Sequence, residues 1–386
     1  MLVTMTLFVI IFLLLIAVPD VYIWWMFVRG SDIGILGLVW WLPAVLALTA
    51  AVAWMAGFYA DWLMKGFFVI LLCLSLPKLL FMLFSLAGVS VGHWMPTLSS
   101  ALHIVGLTLA VVLCGCCIYG FTGGLKRLEV RNVAISSPRL PAEFDGYRIV
   151  HISDLHVGTF GRNGEFLGRL VERVNSLNPD AIVFTGDLVN SSPDELAPHL
   201  DNLSRLRAAD GVWSVLGNHD YCEYAHYDTP DGAARNRARV IELERRMGWN
   251  ILLNEHGTIR RGDAVIAIAG VENDGRPPFP SRGDLDRTKR GLADSIFTVL
   301  LSHDPTHWRR EVLPKRAADV TLSGHTHAMQ FEIFGFSPSS WGYDEWGGLY
   351  REGGQWLHVS KGAGGTAPFR FGAWPEVTVV QLGMGN

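Results

Sequence analysis

The sequence predicts an α/β layered domain preceded by a helical membrane region. Three observations predict this. Apolar, mostly β-branched runs alternate with helical patterns over the last two thirds of the chain. Five of those runs end in a carboxylate, an amide or imidazoles. Residues Met1 to about Phe121 carry almost no charge, whereas the remainder has ordinary globular composition.

With 386 residues the chain is long enough for more than one domain. Half of its residues are apolar and its mean hydropathy is +0.27, high for a purely soluble protein. A formal charge of -4 is too weak to argue for nucleic acid or an acidic partner. Four of the five cysteines (Cys73, Cys114, Cys116 and Cys117) fall in the apolar third and Cys222 stands alone, so no structural disulfide is expected.

Residues 1–122 read as a transmembrane region, 123–147 as a linker with the first strand, and 148–386 as the catalytic domain. A spanning helix needs roughly 20 apolar residues. Four segments meet that requirement, at about 3–28, 35–55, 66–89 and 98–121. The first lacks the basic start and small-residue cleavage site of a signal peptide. Trp24, Trp25, Trp40, Trp41, Trp54, Tyr59, Trp62 and Trp94 cluster near the proposed ends, as interfacial aromatics do. Lys65, Lys126, Arg127 and Arg131 lie on one side of the spans and Arg29 and His93 on the other. That bias favours a cell-membrane, multi-pass protein with its catalytic domain in the cytoplasm. Asp20 and Lys78 lie near or within spans and read as an interfacial residue and a snorkelling or paired one.

Beyond Gly123-Gly124, alternation predicts a strand at 128–135 and another at 148–152. Phe166, Leu167, Leu170, Val171, Val174 and Leu177 give a helix over 163–177, stopped by Asn178-Pro179. A strand at 181–185, a helix over 193–208, a strand at 212–216 and a basic helix over 233–247 follow. Strands at 258–261 and 264–271 flank a Gly-Asp turn. A helix over 281–292, a strand at 296–301, a helix over 305–312 and strands at 318–323, 356–360 and 376–382 complete the pattern. Arg235, Arg237, Arg239, Arg245 and Arg246 on the basic helix are interleaved with Glu242 and Glu244, which favours an ion-paired face over a lipid-binding one. Tyr221, Tyr224 and Tyr227 are candidates to wall a pocket. The stretch 331–350, rich in Phe, Trp and Gly, reads either as a cap or membrane-facing lip, or as core.

The chemistry sits where the strands end. Asp154-Leu155-His156, Gly186-Asp187, Gly217-Asn218-His219-Asp220, Ser302-His303 and Gly324-His325-Thr326-His327 follow apolar runs in that order. Two carboxylates (Asp154, Asp187), one amide (Asn218) and four imidazoles (His156, His303, His325, His327) suit Mn, Fe, Zn or Co better than Ca, which wants only oxygen. Seven ligands exceed the needs of one catalytic ion. Two divalent ions sharing a carboxylate use them well, and such pairs sit ~3.5–4 Å apart in phosphate-cleaving enzymes. The preceding glycines are expected to let the backbone turn sharply. His151, His199, His226, His256, His307 and His358 lie outside the blocks and read as surface or core, with His151, close to Asp154 in sequence, also a candidate supporting residue.

These ordered blocks resemble those of the calcineurin-like metallophosphoesterase family, and the tail Val359-Ser360-Lys361-Gly362-Ala363-Gly364 with Arg370 and Pro375-Glu376 is similar to its bacterial membrane-associated branch. The resemblance implies a four-layer α/β/β/α sandwich and a dinuclear site. Carried over by motif, Asp154, His156 and His327 hold one ion, Asn218, His303 and His325 the other, and Asp187 bridges. His219, beside a ligand, resembles the family's general acid or transition-state stabiliser. Where phosphoprotein phosphatases of the family carry an aspartate three residues after the bridging one, this chain has Asn190, whose amide would hold His219 yet raise its pKa less. The implied activity is hydrolysis of a phosphoester or pyrophosphate by a metal-activated hydroxide, with His219 assisting the leaving oxygen. The spans point to a membrane-associated or lipid-linked substrate, with membrane lipid the other partner and no nucleic acid. A soluble-substrate phosphodiesterase and a non-enzymatic membrane scaffold or sensor with a structural metal site are the alternatives.

Overall fold

An apolar segment in hydrocarbon must pair its own N–H and C=O groups, and a helix does so within the segment. The computed structural model describes residues 2–30, 34, 36–55 and 61–385. Tyr59 and the bounding residues Met1, Ile35 and Asn386 of the expected elements lie outside them. The chain divides into two compact units, Met1–Thr122 and Gly123–Asn386.

In the first unit, α1 (Leu2–Ile23) runs on through a π turn (Trp24–Val28) and is followed by α2 (Leu36–Met55). Then α3 (Asp61–Ile70) continues through a second π turn (Leu71–Ser75) into α4 (Leu76–Val91), and α5 (Pro96–Thr122) completes the unit. Pro77, which has no N–H to give, sits just after the second π turn, a place where the regular ladder is already interrupted. All four expected segments are therefore helical. Among the described residues, two stretches, Trp62–Val91 and Pro96–Thr122, are long and apolar enough to cross a membrane, and Leu14–Val28 and Gly37–Ala53 are shorter apolar helices. Lys78 reaches the buried Asp20 carboxylate and lies 4.3 Å from the centre of the Trp40 ring. The two charges thus pair inside the unit, as the sequence suggested for Lys78.

The second unit holds two six-stranded sheets. Its strands are β1 (Glu129–Ser137), β2 (Arg148–Ile152), β3 (Ala181–Phe184), β4 (Val212–Ser214), β5 (Asn250–Ile251), β6 (Glu255–Arg261), β7 (Ala264–Gly270), β8 (Phe297–Leu301), β9 (Val320–Ser323), β10 (Gly348–Glu352), β11 (Gln355–Val359) and β12 (Glu376–Met384). One sheet has the order β1-β12-β2-β3-β4-β5 and the other β10-β11-β9-β8-β7-β6. Strands β2, β3, β4 and β5 run parallel, as do β7, β8, β9 and β11.

The period of two along each strand decides the layers. Ile149 on β2 and Val299 and Leu301 on β8 point between the sheets, where they meet Val183, Ile266, Val320 and Leu322. Val150, Ile152, Ile182 and Phe184 face outward onto α6 (Glu165–Ser176) and its neighbours. Leu300, Leu357 and Val359 face the opposite way onto Trp308 and Val312. Helical cover therefore lies on both outer faces of the sheet pair. Helix α6 buries Phe166, Leu167, Leu170, Val171 and Val174, each contributing about 1.5–3 kcal/mol. It ends before Asn178, which takes the left-handed conformation (φ 48°) that stops a helix.

Three expected helices shrink. The segment 193–208 splits into a 3-10 turn (Pro193–Leu196) and the short α7 (Leu200–Leu203). At the break the buried His199 gives its Nε2 proton to the Gly161 carbonyl, 2.8 Å away, a bond to another part of the chain that the helical pattern does not encode. Helix α8 (Gly232–Arg246) forms as expected, with Arg235, Arg237 and Arg239 paired to Asp231, Glu272 and Asp194, although Glu244 turns inward to Ser214. The segment 281–292 keeps one turn, α9 (Leu285–Thr288), and 305–312 forms a π turn (Trp308–Val312) leading into α10 (Leu313–Lys315).

Replacing Lys78 by Met strands a buried carboxylate. Lys78→Met alone is expected to destabilise the detergent-solubilised protein by on the order of 3 kcal/mol. The double variant Asp20→Asn/Lys78→Met should recover most of that loss. Thermal unfolding of the three proteins checks this, and equal midpoints for parent and single variant would refute it.

Candidate metal centre

The C-terminal ends of five parallel strands present the site. Asp154 and His156 follow β2, Asp187 follows β3 and Asn218 follows β4, all in one sheet. His303 follows β8 and His325 and His327 follow β9, in the other. Asp154, His156, Asp187, His325 and His327 all have positive φ, between 45° and 75°. This left-handed region is costly for residues with a Cβ, and it recurs where side chains are aimed for function. Two of the three glycines serve a different purpose from the one expected. A Cβ on Gly217 would come 2.2 Å from Asp187 Oδ1, and one on Gly324 would come 1.9 Å from Ser153 Oγ. Only Gly186 of the three has a positive φ, so at the other two it is space, not a turn, that requires glycine.

The donor atoms form two groups that share Asp187. One comprises Asp154, His156, Asp187 and His327, and the other Asp187, His303 and His325. Within each group the offered atoms lie within 4.8 Å of one another. In the first, His156 Nε2 is 3.2 Å from His327 Nε2 and 3.4 Å from Asp187 Oδ2, while His327 Nε2 is 3.4 Å from Asp154 Oδ1. In the second, Asn218 Oδ1 is 2.8 Å from His325 Nδ1 and 3.1 Å from His303 Nε2, and His303 Nε2 is 3.3 Å from Asp187 Oδ2. All seven expected ligands meet here.

Proton accounting tests whether cations fit. The Thr185 carbonyl can only accept, so His303 Nδ1, 2.7 Å away, must donate to it. In the neutral ring that leaves the Nε2 lone pair facing Asn218 Oδ1. The Asn218 amide donates its N–H to the Tyr224 hydroxyl at 2.9 Å, which turns its oxygen inward. Several acceptors thus converge with few donors among them, chiefly the main-chain N–H groups of His219 and His325, an arrangement that favours added positive charge. The protein alone supplies one in part: burial would strip His303 of its proton, but Asp187 and Asp154 outweigh it and push the imidazole up to about 10. Burial holds His156 and His325 down to about 4, and His327 well below its usual value, so these three are neutral lone-pair donors at pH 7. Burial also lifts Asp154 to about 6, while the surrounding imidazoles His303 and His219 keep Asp187 ionised despite its burial. The donor set fits divalent cations of the nitrogen-tolerant kind.

His219 stands at the edge of this cluster. Its main-chain N–H binds Asp187 Oδ1 at 2.9 Å, and its ring lies 4.7 Å from that of His156. Its Nδ1 donates to the main-chain carbonyl of Asn190, at 2.6 Å, and not to the side-chain amide. The amide instead donates to Thr159 Oγ1. The side chain at 190 therefore does not hold the imidazole, because the backbone already does. Of the three tyrosines, Tyr224 packs on the His219 ring, whereas Tyr221 and Tyr227 bond to Glu272 and to main-chain carbonyls away from the ligands. His151 is buried between the sheets. It meets His358 from the second sheet and Thr185 Oγ1, and so braces the residue whose carbonyl holds His303.

Sequence reasoning left other contributors without a role. The buried Asp220 carboxylate accepts main-chain N–H groups of Asp187, Leu188, Val189 and Gly217 at 2.8–3.1 Å, locking two ligand loops together. Its place beside His219 in a polar block was the available signal. Tyr343 Oη lies 2.8 Å from His325 Nε2, on the side away from Asn218. Arg370 is fully buried, with its guanidinium on the Gly364 and Ala373 carbonyls and 3.4 Å from His327 Nδ1. Burial lowers it to about 10, which leaves it a fixed cation behind the site.

The sequence pattern of the calcineurin-like phosphoesterases matches residues 147–329. The chain is 31% identical over 276 residues to the uncharacterized metallophosphoesterase YkuE of Bacillus subtilis, covering 68% of this chain and 89% of that protein. It is 32% identical over 235 residues to the transmembrane protein with metallophosphoesterase domain of Danio rerio, covering 59% of this chain and half of that protein. It is 24% identical over 302 residues to the UDP-2,3-diacylglucosamine pyrophosphatase LpxG of Chlamydia trachomatis, covering 66% of this chain and 89% of that protein.

Two outcomes follow from the geometry. Asp220→Asn turns an N–H₂ toward main-chain donors and is expected to cost about 1–3 kcal/mol, with a matching fall in metal affinity. Unchanged stability in denaturant titration would refute the clamp. In the metal-free protein His303 carries a proton at pH 7, so binding a cation must expel it. Calorimetry in two buffers should show about one proton released, and affinity should rise about tenfold per pH unit between pH 7 and 9. No dependence on buffer would refute it.

Proposed function

Because the chain belongs to the calcineurin-like metallophosphoesterase family and is a hydrolase of phosphoester bonds, we propose that it works through a dinuclear divalent-metal centre on a lipid-linked phosphoester or pyrophosphate. The observation that carries the dinuclear reading is the pair of ligand groups meeting at Asp187. Asp154, His156 and His327 would hold one ion, Asn218, His303 and His325 the other, with Asp187 between them. Two such ions supply a nucleophile at neutral pH and neutralise the phosphoryl oxygens.

The protein's own groups do the rest. The His219 Nδ1–H is fixed on the Asn190 carbonyl, so Nε2 is the ring atom free to hand a proton to the departing oxygen. Asp187 accepts the His219 main-chain N–H and so ties the acid to the metal ligands. Arg370 offsets part of the negative charge of Asp154 from behind.

The substrate class rests on two supports. Two helical stretches are long and apolar enough to cross a membrane, and one relative is by name a pyrophosphatase of a diacylated sugar nucleotide. All four helical segments crossing the bilayer, with residues 123–386 on the cytoplasmic side, is the arrangement favoured by the lysine and arginine bias.

Full-length protein in detergent, screened with Mn, Fe, Zn and Co, is expected to cleave lipid-linked substrates faster than bis-p-nitrophenyl phosphate. Chelation should abolish turnover and added metal restore it. Asp187→Asn should remove activity almost completely with the fold intact, and His219→Ala should lower kcat by about 10²–10⁴-fold. A reversed substrate preference would point to a soluble phosphodiester. No activity with any metal would point to a scaffold.

A further inference from the structure

Eight large apolar side chains are exposed among the described residues of the second unit, and five of them fall between residues 329 and 341. These are Met329, Ile333, Phe334, Phe336 and Trp341. Scattered exposed apolar residues need no explanation, but a cluster does. Phe334 is wholly exposed (105%) and Trp341 is 80% exposed. The ten residues from Ile333 to Gly342 include no charged side chain.

The backbone gives a second, independent sign. Ile333 and Phe336 exchange N–H···O bonds of 2.9 Å around a two-residue turn. Both central residues, Phe334 (φ 50°) and Gly335 (φ 78°), are left-handed. Turns of this kind favour Asn-Gly or Asp-Gly, because a bulky residue at the first central position is strained. Here the strained position carries a phenylalanine that packs on nothing the ring could repay in folding energy. The gain must come from something outside the folded unit.

The hairpin is also fastened to the metal-ligand block. Ser337 Oγ donates to the Ala328 carbonyl at 2.6 Å and Ser339 Oγ to the Thr326 carbonyl at 3.3 Å, one residue either side of His327. Tyr343, two residues past Trp341, reaches His325. Glu332, at the base, is neutralised by Lys361.

We propose that residues 329–341 form a lip that rests in a lipid surface, with Phe334 and Trp341 immersed among the acyl chains. Lipid is the occupant because the exposed tip, residues 333–342, carries no charge and presents three aromatic rings, as interfacial anchors do. The same chain also carries helices long enough to cross a bilayer, which keeps a lipid surface within reach. This inference rests on the membrane tether proposed above. It adds a way for the hydrocarbon end of a substrate to meet the protein beside the ligands.

The test uses the full chain in phosphatidylcholine bilayers, with an environment-sensitive fluorophore on Phe334→Cys. The control carries it on Asp294→Cys, whose native side chain is fully exposed. Signal from the unsubstituted protein is subtracted to remove labelling of its native cysteines. Doxyl-labelled lipid should quench position 334 strongly and iodide weakly, with the reverse at 294. Equal behaviour at the two positions overturns the lip, and so does cross-linking of 334 to 334 without lipid quenching, which would mean that a second copy covers it. Quenching needs no turnover. A parent protein that cleaves no lipid-linked substrate would therefore sink the substrate reading and leave the lip standing.

Discussion

The structure depends on the cost of burying like-natured acceptors together. Two carboxylates, an amide oxygen and four imidazoles occupy one buried cluster with few donors between them. Such a cluster is unfavourable unless positive charge enters it. Most of the surrounding architecture serves to keep it assembled. Asp220 holds two loops by their main-chain N–H groups, Thr185 fixes the His303 ring, and Arg370 sits behind His327 with its own donors spent on carbonyls. Left-handed backbone at five ligands is a further cost accepted for the same end.

The strand pattern explains why this cluster forms where it does. Parallel strands place their C-terminal ends on one edge, and stacking two such sheets brings two edges together. The mostly apolar runs before Asp154, Asp187, His303 and His325 are the runs that both faces of a covered strand require. Core and site are thus two readings of the same segments. The inner residues join the sheets, the outer ones seat the helices, and the next residues carry the chemistry.

Those segments were legible in the sequence because both periodicity and residue type are local. Strand β2 and helix α6 could be read to within two residues, and the seven residues that converge could be named from the polar blocks that end the apolar runs. What could not be read depends on partners far away in the chain. The break at His199 answers to Gly161, and the inward turn of Glu244 answers to Ser214. The edge strands β5 and β10 are too short or too polar to announce themselves. The hold on His219 comes from a main-chain carbonyl, which no side-chain pattern encodes. Likewise the need for glycine at 217 and 324 is set by atoms of Asp187 and Ser153, not by the turn itself.

The division of ligands between sheets has a mechanical consequence. Asp154, His156, Asp187 and Asn218 belong to one sheet, and His303, His325 and His327 to the other. An ion held by residues of both sheets would tie the layers together at that edge. Its binding free energy then counts toward cohesion of the whole sandwich, in proportion to the logarithm of free-ion concentration over Kd. Without such an ion, the sandwich would loosen first at the rim that carries these residues, and last at the hydrophobic seam beneath it.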